Sequence, residues 1–255
     1  MQFTSLASSS SGNCSFITEG ASRLLIDAGI SLRRISVSLR ELGSDVRELC
    51  GVLITHEHSD HINGLPMLLK HSDIEIYTTE TVAEGLVRTI PASEGRINVI
   101  PALDYSEIAG FEVMPFHTMH DTPESVGYRI CGHVSAMAFA TDLGTVTREV
   151  EEGMNGAEFA VLESNHDVLR LKNGPYPYIV KKRVLSDHGH LSNDVSAAFQ
   201  RKLAENGAKR ILLAHLSKEN NTPGLALEAS SNALSETDVR AEVAPYDCMS
   251  NTYIF

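Results

Sequence analysis

Between positions 56 and 61 the chain carries His56, His58, Asp60 and His61, four side chains of metal-ligand type within six positions. They come directly after the apolar run Gly51-Val52-Leu53-Ile54, which reads as a buried strand, and before a helix expected over Asn63 to Lys70. A strand that ends in a tight loop turns alternate side chains toward one point outside its sheet. Neutral imidazoles and carboxylates gathered at such a point suit zinc or a similar first-row ion. Any fold for this chain therefore has to place that strand end where other ligands can reach it.

The flanking sequence supplies strands on both sides. Phe3 to Leu6, Cys14 to Thr18 and Arg23 to Ile26 read as strands, and Leu32, Ile35, Leu39 and Leu42 then recur at helical spacing up to Gly43. The loop Ser8-Ser9-Ser10-Ser11-Gly12-Asn13 is either a plain hairpin turn or a rim whose amides and hydroxyls line the site. After the His cluster come a strand at Ile74 to Tyr77, a helix near Thr79 to Thr89, and strands at Ile97 to Ile100, Phe111 to Phe116, Val126 to Ile130 and Val134 to Thr141. The last third repeats the mixture. Strands are expected at Phe159 to Glu163, Arg210 to Ala214 and Val239 to Ala244, with helices at Asp167 to Leu171, Asn193 to Glu205 and Leu225 to Leu234. Strand-rich blocks with outward helices, twice over, suggest an α/β fold of two sheets packed face to face with helices on both outsides. At 255 residues, with no linker and no inserted segment in view, one domain over 1–255 is expected.

Lys plus Arg is 21 and Asp plus Glu is 33, a net charge of −12, which argues against a protein that coats nucleic acid nonspecifically. A metal pair or a local basic patch still allows a nuclease. Cys14, Cys50, Cys131 and Cys248 are widely spread without a C-x-x-C pair, so neither a zinc ribbon nor a disulfide scaffold is suggested, and a reduced cytoplasmic setting fits. The start Met1-Gln2-Phe3-Thr4-Ser5-Leu6 does not have the form of a signal peptide, and no apolar run reaches membrane-spanning length. Nothing in the sequence speaks to oligomeric state.

If the cluster binds metal, further ligands belong at other strand ends, and three candidates stand there: His120 with Asp121, Asp142 directly after Thr141, and His215 directly after Ala214. His117 competes with His120 for one place, while His71 and His133 read as surface residues. The pattern H-x-H-x-D-H resembles the metal-binding signature of the metallo-β-lactamase superfamily, and the order of the other three matches that family's motifs. The resemblance implies a four-layer αββα sandwich. It also implies one ion held by His56, His58 and His120, a second by Asp60, His61 and His215, and Asp142 bridging them. The two divalent ions implied are zinc, with manganese as the other possibility. In such sites the ion pair shares a hydroxide for hydrolysis, and Asp60 orients it.

Three further stretches narrow the branch: Glu163-Ser164-Asn165-His166-Asp167, Leu185 to Asn193, and Ala214 to Pro223. With the serine-rich loop they resemble the YycJ-like (WalJ-like) subgroup of that superfamily over nearly the whole chain. That subgroup implies DNA exonuclease activity in the 5′ to 3′ direction and kinship with tRNA 3′-end processing nucleases. The residues themselves read as phosphate handling. His188, His190 and Ser192 precede a helix whose N-terminal amides favour an anion, and Ser192 suits its cap. His190 is the candidate for phosphate binding or leaving-group protonation, with His188 and Ser217 as further phosphate contacts, and Lys181-Lys182-Arg183 is the densest positive run for tracking a nucleic-acid backbone. The function expected is a dinuclear metal-dependent phosphodiesterase acting on DNA, with Asp60 and His190 catalytic. The alternatives are a small-molecule metallohydrolase (lactamase, thioesterase or cyclic-nucleotide phosphodiesterase) and a metal-binding module without activity.

Overall fold

Strand geometry sends successive side chains to opposite faces, so a run that is apolar throughout needs a partner layer on both sides. The computed structural model, which describes residues 1–255, shows where those layers lie. The strands are β1 (Gln2–Ser9), β2 (Gly12–Glu19), β3 (Ser22–Ile26), β4 (Gly51–Leu53), β5 (Ile76–Thr78), β6 (Ile97–Val99), β7 (Ser106–Ile108), β8 (Phe111–Thr118), β9 (Ser125–Cys131), β10 (Ala136–Ala140), β11 (Phe159–Glu163), β12 (Arg210–Ala214), β13 (Arg240–Val243) and β14 (Tyr253–Ile254). They form two seven-stranded sheets, in the orders β14-β1-β2-β3-β4-β5-β6 and β13-β12-β11-β10-β9-β8-β7. Alternation divides each buried run. Leu24, Ile26 and Leu53 of the first sheet meet Met137, Phe139, Phe159, Val161 and Leu212 of the second in a core between the sheets.

The other faces are covered by helices. Leu25, Val52 and Ile76 pack under α1 (Leu32–Glu41), α3 (Leu65–His71) and α4 (Glu80–Thr89), and the short α2 (Ser59–Ile62) precedes α3. Ala138, Ala140, Ala160, Leu162, Ile211 and Leu213 pack under α5 (Arg148–Met154), α8 (Asn193–Glu205) and α9 (Pro223–Ala233). Small alanines on that face let α5 and α8 approach closely. Two further helices, α6 (Val168–Asn173) and α7 (Tyr178–Val184), occupy the long connection from β11 to α8. The architecture is the expected four-layer αββα sandwich.

The sheets also set a direction. β3, β4, β5 and β6 run parallel, as do β10, β11, β12 and β13. β8 pairs antiparallel with β9, which pairs antiparallel with β10, so β8 points the same way as β10. The carboxyl ends of β3, β4, β8, β10, β11 and β12 therefore deliver Asp27, His56, His120, Asp142, Glu163 and His215 to the sandwich rim. Ligands collecting outside strand carboxyl ends are a general property of such sheets.

The helix expected over Asn63 to Lys70 is α3, running from Leu65 to His71, and a separate short helix, α2, precedes it. α2 ends at Ile62, the chain bends at Asn63 and Gly64, and α3 starts at Leu65. Gly64 donates its N–H to the Ala28 carbonyl, and any Cβ there would overlap the carbonyl of Ile30. Gly29 is in the same position against the cluster itself, since a Cβ would land on the backbone carbonyl of Asp60. Gly29→Ala should thus push the Asp60 loop away and destabilise the fold by about 1–3 kcal/mol, the usual cost of overpacking. Differential scanning calorimetry should show Tm lower by several degrees, whereas Gly224→Ala, whose Cβ meets only Thr222 Oγ1 at 3.8 Å, should leave it within a degree or so of the parent. Equal Tm for parent and Gly29→Ala would show that the loop has room to spare.

Candidate metal centre

Three residues at this rim hold left-handed backbone without being glycine: Asp27, Asp142 and His215, with φ of 58°, 56° and 55°. Such conformations cost free energy and persist where the surroundings impose them. Asp27 and His215 directly follow a buried strand and Asp142 follows the end of β10 with one residue between, and the turn aims each side chain across the rim instead of along the sheet. From β4, the extended segment puts His56 and His58 on one side and Glu57 on the other, where it accepts the Thr122 hydroxyl at 2.7 Å. Asp60 and His61 then come from the first turn of α2.

The side chains converge closely. Ligand atoms of His56, His58 and His120 lie within 4.8 Å of one another, as do those of Asp60, His61 and His215. Asp142 stands between the two groups: its Oδ2 is 3.1 Å from His61 Nε2, and its Oδ1 is 3.4 Å from His215 Nδ1 and 3.7 Å from His120 Nε2. All seven sequence-predicted ligand positions are thus brought together. His117 is not; its Nδ1 lies 2.7 Å from Glu149 Oε2 on the outer surface, so only His120 is in reach of the cluster.

Four of the rings are held through Nδ1, leaving Nε2 for the cleft. His61 Nδ1–H donates to Asp27 Oδ2 at 2.7 Å, His215 Nδ1–H to Glu163 Oε1 at 2.8 Å, His120 Nδ1–H to the Gly189 carbonyl at 3.1 Å, and His56 Nδ1 lies 3.0 Å from Thr55 Oγ1. Thr55 also gives its N–H and hydroxyl to Asp27. This fixes the tautomers. It also leaves His56 Nε2, His215 Nε2 and Asp142 Oδ2 buried with no hydrogen-bond partner, which is costly unless a cation satisfies them. Imidazole nitrogens with carboxylate oxygens, each oriented by an outer acceptor, fit a pair of first-row divalent ions.

The charges in the metal-free protein agree. Burial pushes the His215 ring down, but Asp142, Asp60 and Glu163 outweigh it and raise its pKa to about 10. His61 is likewise raised well above the ordinary histidine value, because Asp27 and Asp142 overcome its burial. Burial would raise the Glu163 carboxyl, yet His190 and His215 bring it down to about 2. His56, by contrast, is held well below the usual range by burial and by its histidine neighbours, and is already the neutral ligand form.

Asp27, Thr55, Glu163 and Asn13 were not singled out by the sequence as site residues. Asp27 and Glu163 carried the signal that marked Asp142, a carboxylate at the end of an apolar strand. Asn13 Nδ2 donates to Asp60 Oδ2 at 3.3 Å and lies 3.1 Å from His61 Nε2, and Ser8 Oγ accepts the backbone N–H of His215. The serine-rich loop is therefore both things that were open: Ser10 and Ser11 turn the β1–β2 hairpin, and the loop borders the site.

The residues expected to contact phosphate separate. His190 and Arg183 line the cleft, a cavity of about 320 Å³ with no apolar wall. His190 Nδ1 lies 2.8 Å from Glu163 Oε1, and Arg183 Nη1 is 3.2 Å from Asp121 Oδ2 at the mouth. The others are not brought to the lining. His188 rests on the His120 carbonyl at 3.3 Å, Ser217 accepts the N–H of Asn220 within its own turn, Lys181 donates to the Lys172 carbonyl, and Lys182 is exposed on α7. Ser192 caps α8 through the N–H of Val195.

Residues 22–216 match the family model described as a β-lactamase superfamily domain. The chain is 35% identical to the exodeoxyribonuclease YycJ of Bacillus anthracis over 92% of its length and 90% of that protein. It is 31% identical to the exodeoxyribonuclease WalJ of Streptococcus pneumoniae over 98% and 95% respectively. Among solved structures, it resembles the metallo-β-lactamase fold protein YhfI from Bacillus subtilis with a TM-score of 0.75 and 15% identity, covering 98% of each chain. Human tRNase Z, short form, matches with a TM-score of 0.68 and 18% identity over 100% of both.

Two outcomes follow from this geometry. Asp27→Asn keeps the shape but removes the carboxylate that orients His61, so metal affinity in a chelator competition should fall roughly 10- to 100-fold; an unchanged affinity would remove Asp27 from that role. The raised His215 pKa contributes stability to the metal-free protein that is complete below about pH 6.5 and is lost as pH rises through about 10. A bound cation takes the place of that proton, so the Tm gap between metal-loaded and chelator-treated protein should widen across that window. A constant gap would contradict the assignment.

Proposed function

This chain belongs to the β-lactamase superfamily and is a metal-dependent hydrolase; we propose that it is a two-metal DNA exonuclease, with one ion on His56, His58 and His120, a second on Asp60, His61 and His215, and Asp142 between them. The single observation that carries the reading is a cleft of charged and polar side chains, unwalled by any apolar residue, around buried donor atoms left without partners. A lactam or thioester pocket needs apolar surface to bury its ligand. A phosphodiester needs donors and cations, which Ser10, His190 and Arg183 offer here beside the histidines and aspartates that would hold the ions. The relatives named as exodeoxyribonucleases, matched over nearly their full length, support the same choice over a small-molecule substrate.

Zinc is the ion we assign, on the strength of the imidazole-rich donor set, with manganese the competitor. Bound there, two such ions supply an activated water and Lewis acidity toward the phosphate oxygens. The protein's own part is to orient and to move protons. Asp60 is placed to accept a hydrogen bond from the attacking water, with Asn13 holding its Oδ2. Glu163 accepts His190 Nδ1–H, which turns Nε2 toward the cleft, and outweighs burial to keep the ring's pKa raised. A protonated His190 then gives its Nε2 proton to the leaving sugar oxygen. Arg183, at the mouth, neutralises a phosphate oxygen in exchange for its pairing with Asp121. We read the polarity as 5′ to 3′, following the subgroup resemblance, and the setting as cytoplasmic, which the four free cysteines support. No helix is long and apolar enough to cross a membrane.

The decisive experiment is to offer zinc- or manganese-loaded protein DNA strands labelled at either end, with a chromogenic lactam in parallel. Mononucleotides released from the 5′ end, and no lactam turnover, are expected. His190→Ala should lower kcat on those strands roughly 10²- to 10⁴-fold with little change in KM, since it removes an interaction made in the transition state. Lactam cleavage without DNA cleavage would overturn the reading.

A further inference from the structure

Between Arg170 and Arg183 the chain places five cations, Arg170, Lys172, Lys181, Lys182 and Arg183, and no acid in fourteen consecutive residues, although acids outnumber cations 33 to 21 over the whole. The same stretch carries a highly exposed aromatic beside a highly exposed aliphatic side chain. Tyr178 is 81% exposed and Ile179 is 76% exposed, on the first turn of α7. Apolar side chains this exposed, set beside cations and continuous with an active cleft, are not explained by packing.

The stretch is held stiffly. Pro175 and Pro177 flank Tyr176, and Gly174 closes a turn in which any Cβ would press on the Arg170 carbonyl and Asn220 Oδ1. Lys181 Nζ donates to the Lys172 carbonyl and Arg170 Nε to the Glu219 carbonyl, which ties α7 and α6 to each other and to the loop after β12. On α7, Tyr178 and Lys182 are four apart, as are Ile179 and Arg183, so each pair shares a face, separated by roughly 6 Å along the axis. Arg183 lines the cleft. A row thus leads from the cleft mouth at Arg183 to Ile179, flanked on the adjacent face by Lys182 and Tyr178.

We propose that this row is a stacking platform for unpaired bases of the strand being cut, so that the enzyme engages DNA ends whose terminal nucleotides are single-stranded. The inference rests on the nuclease reading and adds to it the form of the substrate. A charged row alone would serve any polyanion, duplex included. An exposed ring beside an exposed aliphatic serves flat faces, which a duplex keeps inside its stack and an unpaired strand offers freely. The cations then track the backbone on either side, in the manner that suits sequence-independent binding. Because the segment is braced, little conformational freedom is lost on binding.

The test uses full-length protein in chelator, so that binding is read without cleavage, by fluorescence anisotropy. One probe is a blunt duplex, and the other is the same duplex with four unpaired nucleotides at its 5′ end. The protein should bind the unpaired end about tenfold more tightly, within the range of one to two stacked bases. Tyr178→Ala with Ile179→Ala should abolish the preference, and with metal restored should raise KM on the unpaired end far more than it lowers kcat. Tyr178→Phe should behave as the parent, because stacking needs the ring and not the hydroxyl. Equal affinity for the two ends in a protein that degrades both, or a double variant that keeps the preference, overturns the platform and leaves the nuclease reading standing. A protein that degrades neither DNA overturns both. A parent that self-associates on size exclusion where the double variant does not would assign the patch to a second copy of the chain and also overturn it.

Discussion

The carboxylate of Asp27 is wholly buried beneath the rim of the first sheet, and a buried charge has to be met by donors. The donors that meet it are the amide and hydroxyl of Thr55 and the ring of His61, so satisfying one carboxylate fixes both ends of the histidine segment. Glu163 does the same in the second sheet. Its two oxygens take His190, His215 and the amides of Leu143 and Leu191, which ties the ends of β10, β11 and β12 into one piece. Each sheet therefore carries one anion that organises its own histidines, and Asp142 lies where the two sets meet. The left-handed backbone at Asp27, Asp142 and His215 is tolerated because these bonds hold it.

Parallel pairing explains why this much chemistry shares one edge. Antiparallel neighbours would send alternate strand ends to opposite rims and leave the ligands some 15–20 Å apart, the length of an ordinary strand. Here the six strands that contribute side chains all finish on the same side. The two sheets differ in what they present: the first gives the histidine segment, and the second gives Asp142 and the Glu163 pair with His190 and His215.

Much of this was legible because the strongest signals are periodic or clustered. Long apolar runs marked β3, β4, β10, β11 and β12, and polar residues at their ends marked His56, Asp142 and His215. What escaped has no such signature. β14 is two residues long and β7 three, and both exist only because a neighbouring edge accepts them. α5 and α7 are single short helices between loops, readable only once their packing is known. Asp27 and Glu163 were not marked as anchors because burial, not sequence position, turns a carboxylate into one. The positive triplet seemed one feature, but on a helix neighbouring residues point apart, and Lys181, Lys182 and Arg183 went to the α6 end, to solvent and to the cleft.

The pairing of β14 with β1 brings Tyr253 beside Phe3, so the outer edge of β1 is covered by residues made some 250 positions later. During synthesis the first three strands can form their meander early, but that edge stays open, with its amides and carbonyls unpaired, until Tyr253 and Ile254 have been made. An open edge is a template for other strands. Two residues made some 250 positions after their partners thus decide how long the nascent protein is exposed to wrong partners, a kinetic liability invisible in the completed fold.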